Sequence, residues 1–80
     1  MTKPSQADRI LALLIQRGED GVTPLEALDK IGCFRLAARI AELRDMLRIH
    51  GSDLYIVTLD HPTPGGATVA RYVLRRKPGR

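Results

Sequence analysis

The sequence predicts an α+β fold in which three helices build one small core and a two-stranded β-hairpin follows them. Three observations carry that expectation. Two helix starts have full capping signals, Ser5 with Asp8 and Thr23-Pro24-Leu25-Glu26. Apolar residues recur at helical spacing as far as Leu47. After Gly51 the pattern switches to β-branched and aromatic residues, interrupted by a segment rich in proline and glycine.

The first helix follows Ser5, whose hydroxyl can accept from the amides of the first turn while Asp8 suits the positive end of the helix dipole. Ala7, Ile10, Leu11 and Leu14 fall on one face, and Leu13 and Ile15 widen it. Gly18 supplies a stop after Arg17. The second helix is short. Thr23 caps it, Pro24 takes the first helical position, and Glu26 can reach back to the cap amide. Leu25 and Leu28 are expected to face inward, with Ile31 just beyond and Gly32 as the stop. The third helix is expected over residues 33–47. Leu36, Ile40, Leu43 and Leu47 form its apolar stripe, and Ala37 flanks the stripe. Arg35, Ala38, Glu42 and Asp45 lie on the outward side, with Arg39 between that side and the stripe edge.

Residues 54–59 read as a strand, residues 60–66 as a turn and residues 67–74 as the returning strand. Both faces of the first strand are apolar, so the pairing register stays open. Residues 75–80 hold four basic side chains and no core former, and are expected to be a basic flexible tail after a domain spanning residues 5–74.

Bulk properties narrow the function. Eighty residues make one domain, which can bury only about 60–65% of its unfolded surface. One cysteine, Cys33, allows no internal disulfide. With only His50 and His61 beside it, a structural zinc site is not expected. No glycine-rich phosphate loop or nucleophile–base set exists. The expectation is a protein that is not an enzyme and carries no cofactor or metal. No apolar run approaches a membrane span, and Met1-Thr2-Lys3-Pro4 does not begin a signal peptide, so a cytoplasmic setting is the simplest reading. The net charge of +4 is unevenly spread: residues 1–32 carry −1, residues 33–50 carry +2 and residues 51–80 carry +3. That asymmetry suits a polyanion, because contacts to phosphates release condensed counterions. It also suits a merely soluble basic domain.

The link between the second and third helices is a few residues long and contains Gly32. Two helices so joined make a helix-turn-helix, whose second helix lies in the DNA major groove, and a hairpin placed after that helix is a wing. At this point the chain resembles a known family. Thr23-Pro24-Leu25-Glu26-Ala27-Leu28, then Ile31-Gly32-Cys33-Phe34-Arg35-Leu36-Ala37-Ala38-Arg39-Ile40-Ala41-Glu42-Leu43-Arg44, then Val69-Ala70-Arg71-Tyr72-Val73-Leu74 look like the small winged helix-turn-helix domains common in bacteriophages and prophages. The resemblance covers roughly residues 5–75 and implies a DNA-binding fold of phage origin. The chain departs from a phosphate-gripping wing at its hairpin tip, which has two prolines, two glycines and little basic charge.

The candidate contacts follow from this arrangement. Arg35 and Arg39 are four residues apart and can point the same way. Each can fork onto guanine O6 and N7, bind phosphate, or pair with Glu42. Ala38 can admit close approach to the groove floor, or serve only as a good helix former. Glu42 can orient Arg39, while Asp45 is expected to sit clear of the duplex. Thr23 is a cap first, at a helix start that can also offer amides to phosphate. Lys30 in the turn, Arg71 in the second strand, and Arg75, Arg76 and Lys77 beyond it are candidate phosphate contacts, against the plainer reading of solvated or solubilising charge. His61 reads as a polar turn residue. Cys33, Phe34, Tyr55 and Tyr72 read as packing residues.

The expected function is double-stranded DNA binding by a phage or prophage transcriptional regulator. One copy covers a half-site, so a specific operator implies a homodimer or tandem binding. Two alternatives stand beside it: an interaction module for a host or phage protein, and an excisionase-like or replication accessory DNA binder.

Overall fold

The computed structural model describes residues 5–78. The element order is α1 (Gln6–Arg17), a 3-10 turn (Gly18–Asp20), α2 (Pro24–Ile31), α3 (Leu36–Ile49), β1 (Leu54–Pro62) and β2 (Thr68–Arg76). This is the three-helix core with a following hairpin, a winged helix.

Both capping boxes form. Ser5 Oγ accepts from the Asp8 amide at 3.1 Å, and Asp8 Oδ2 accepts from the Ser5 amide at 3.2 Å. At α2, Thr23 Oγ1 accepts from the Glu26 amide at 3.3 Å and Glu26 Oε1 accepts from the Thr23 amide at 3.0 Å. Ile10 and Leu14 of α1 meet Leu36, Ile40, Leu43 and Leu47 of α3 in one core, which Ile56 and Tyr72 of the hairpin close. The i, i+4, i+7 stripe of α3 is thus the wall against which α1, α2 and β1 pack.

β1 and β2 pair antiparallel from Leu54 opposite Arg76 to Pro62 opposite Thr68. Val22 adds a bridge on the other edge of β2, exchanging backbone hydrogen bonds of 2.8 and 2.9 Å with Tyr72. The segment before α2 therefore anchors the wing to the helices. Arg44 anchors it from the other side: its guanidinium donates to the Ile56 carbonyl at 3.0 Å and to Thr58 Oγ1 at 2.9 Å.

Several sequence expectations change. Leu25 and Leu28 do not face inward; Leu25 is 75% exposed, and Ala27 is the buried residue of α2. A two-turn helix this close to its neighbours presents a methyl rather than a leucine to the core. α3 starts at Leu36 rather than residue 33, because left-handed Gly32 leads into a turn in which the Cys33 amide bonds to the Ala27 carbonyl. Cys33 is buried in that turn, whereas Phe34 is 86% exposed and packs no core. Tyr55 is half-buried and Tyr72 buried. The strands are longer than expected, and the turn shrinks to residues 63–67, closed by the Thr63 amide on the Ala67 carbonyl at 2.8 Å. Arg75 and Arg76, expected in the tail, are strand residues, and the Lys77 amide donates to Asp53. Gly79 and Arg80, the end of the expected tail, lie outside the described residues, as do residues 1–4. Among the described residues no helix is long and apolar enough to cross a membrane.

Candidate nucleic-acid interface

The face formed by the start of α3, the start of α2 and the wing tip is the candidate interface. Arg35 occupies the N-cap of α3, outside the helix proper, and makes no side-chain cap. It is exposed, and no carboxylate pairs with it among the described residues. Arg39 is a different kind of group. It is half-buried, its Nη2 lies 3.3 Å from Glu42 Oε2, and its Nε is buried without a hydrogen-bond partner. The two arginines expected to act as an equivalent pair are thus one exposed and one tethered. Asp45 is likewise engaged on its own helix, by Arg48 at 3.1 Å. Ala38, expected on the outward side, is half-buried, and Ala37, expected beside the stripe, is exposed.

Thr23 is 7% exposed, and its hydroxyl is shared with Glu26, donating to Oε1 at 3.1 Å as well as accepting from the amide. Its side chain is fully occupied by capping. Arg17 completes this corner: its Nε donates to the Gly21 carbonyl at 3.0 Å and its Nη2 pairs with Glu26 Oε2. Burial pushes the Glu26 carboxyl up. The Thr23 amide and hydroxyl, together with Arg17, outweigh that and hold it below its ordinary 4.5.

Of the basic candidates, Lys30 is exposed and lines a shallow groove between α1 and α2 with Arg9, apart from the wing. Arg71 donates to the carbonyls of Glu19 and Asp20 at 2.6 and 3.0 Å, and Arg75 forks onto Glu19 at 3.1 and 3.2 Å. Hydrogen bonding to Glu19 raises the Arg75 pKa further. These two arginines clip β2 to the 3-10 turn. Arg76 and Lys77 are exposed at the strand end. The structure therefore brings Arg35 and Thr23 to the candidate face, but gathers Arg71 and Arg75 at the 3-10 turn and Lys30 beside α1.

Two features have no counterpart in the sequence reading. Arg44 holds the wing against the third helix; its partners are 12 and 14 residues away, and nothing local marks it. The second is an apolar groove of about 570 Å³ between the start of α2 and the wing tip, with Leu25, Leu28 and Phe34 on one side and His61, Pro64 and Val69 on the other.

Three helices, a tight turn into the third and a hairpin clamped beside it define a winged helix, a fold for which duplex DNA is the suggested partner. The sequence comparison agrees: the chain belongs to the winged helix-turn-helix domain family, whose profile matches residues 5–77. No curated protein and no solved structure matches the chain.

Proposed function

We propose that this protein is a double-stranded DNA-binding transcriptional regulator of a phage or prophage, acting in the cytoplasm of its bacterial host and reading the major groove with the start of α3. The observation that carries this reading is Arg35: an exposed guanidinium, with no ion-pair partner among the described residues, at the N-terminal end of the second helix of the motif, where such helices meet base edges. The protein has no catalytic role in this reading, and a homodimer would place two α3 helices on successive half-sites.

The test is a duplex titration across a range of salt. The wild type should bind duplex DNA with an affinity that falls steeply as salt rises. Arg35→Ala should weaken binding to a preferred duplex by about tenfold, within the roughly 1–3 kcal/mol of a bidentate guanine contact. Arg39→Ala should weaken it less, because Glu42 already holds that guanidinium. If no duplex is bound at low salt, the reading fails. A protein partner then becomes the better assignment, which the exposed Leu25 and Leu28 favour.

A further inference from the structure

Phe34 is the only phenylalanine of the chain, and it stands 86% exposed in the turn directly before Arg35. A phenylalanine ring left in water forfeits a large burial gain. Nothing local demands the exposure, since the turn is held by left-handed Gly32 and by Cys33 on the Ala27 carbonyl. The ring forms one wall of the apolar groove at the wing tip, and no carboxylate lines that groove. The groove is thus an apolar surface bordered by an exposed arginine and compatible with phosphate nearby. Beyond Arg35 the next exposed residue, Ala37, carries only a methyl.

We infer that Phe34 is a base-reading residue whose ring contacts the C5-methyl group of a thymine in the major groove, next to the base read by Arg35. The thymine methyl is the one apolar feature of the major-groove edge, and apolar side chains read it directly. An aromatic ring and a guanidinium side by side would read a thymine–guanine step. This rests on the DNA-binding reading above and adds the identity of a base to it.

The probe is a repeating d(GT)·d(AC) duplex of about two helical turns, compared with the same duplex carrying deoxyuridine for every thymine. Removing the methyl should weaken wild-type binding by about fourfold per methyl contacted, equivalent to about 0.8 kcal/mol for one buried carbon group. Phe34→Ala should bind both duplexes alike and melt at the wild-type temperature, because the ring supports no core. Equal wild-type affinity for the two duplexes overturns the inference and leaves DNA binding standing, as does a Phe34→Ala variant that still prefers thymine. A dimer that Phe34→Ala dissociates assigns the ring to a second copy and also overturns it. If neither duplex is bound at low salt, the DNA reading falls and the inference with it.

Discussion

The two helices of the motif begin in opposite ways. The approach to α2 is closed. Gly21 lies under β2, Val22 pairs with Tyr72, Thr23 and Glu26 satisfy each other, and Arg17 reaches across to both Gly21 and Glu26. The approach to α3 is open. Its N-cap is Arg35, no side chain caps it, and Phe34 and Arg35 both face solvent. Capping satisfies amides that a helix start otherwise leaves to water or a ligand. The same fold thus engages its polar side chains where α2 is fixed to the wing, and leaves Arg35 unengaged at the start of α3, where the proposed contact lies. Stability should therefore respond to substitutions at residues 17–26, and recognition to substitutions at residues 34–35.

The largest effect should come at Gly21. Its φ of +68° with ψ of −169° lies in a region kept for glycine. A Cβ there would stand 2.6 Å from the Tyr72 carbonyl oxygen and 2.8 Å from a Val73 methyl. Gly21→Ala should lower stability by about 3 kcal/mol or more, combining the backbone strain with a clash that must push β2 away. Thermal unfolding should show a fall of more than about 12 °C at the roughly 4–8 °C per kcal/mol of a domain this size. A fall of only a few degrees would mean that β2 moves aside easily and the closed region is not closed.

How much of this contrast is legible in the sequence depends on the reach of each interaction. The caps are legible because Ser5 with Asp8 and Thr23 with Glu26 act across three residues, and the stripe of α3 because helical spacing alone sets it. Leu25, Leu28 and Phe34 mislead for a shared reason. Size and hydropathy mark all three as core, but a smaller neighbour takes the inward position in each place: Ala27 in α2 and Cys33 in the turn before α3. The basic strand misleads because its partners are remote. Arg71 finds the Glu19 carbonyl 52 residues back, so positive charge that reads as a phosphate grip is used as a clip. The Val22 bridge, which ties the segment before α2 to the free edge of β2, is a single pair with no strand pattern around it.

The next effect in size separates capping from contact at Thr23. Thr23→Ala removes the acceptor for the Glu26 amide and should lower stability by about 1 kcal/mol, up to about 2. Thr23→Ser keeps the oxygen and should recover most of the loss. With the hydroxyl consumed by Glu26, duplex affinity measured well below the melting temperature should not change. A loss of affinity in Thr23→Ala with stability restored by a ligand-free stabilising buffer would show that the closed end also meets DNA, and the contrast between the two helix starts would blur.

The smallest effect is a pH dependence confined to the same corner. The Glu26 carboxyl is held below 4.5 in the folded protein, so it binds fewer protons folded than unfolded as pH drops through that range. Its contribution is therefore present above about pH 4.5 and is lost as the pH falls through its lowered value. Denaturant midpoints measured between neutral pH and pH 3 should fall for the wild type, and Glu26→Gln should fall less steeply because one proton-linked group is gone. Arg17→Met should also shallow the acid limb, since the guanidinium is part of what lowers the carboxyl. Arg35→Ala should leave the acid limb unchanged, because no carboxylate among the described residues pairs with it. If Arg35→Ala changes the slope while Glu26→Gln does not, the electrostatic closure lies at α3 rather than α2, and the assignment of stability to one helix start and recognition to the other is reversed.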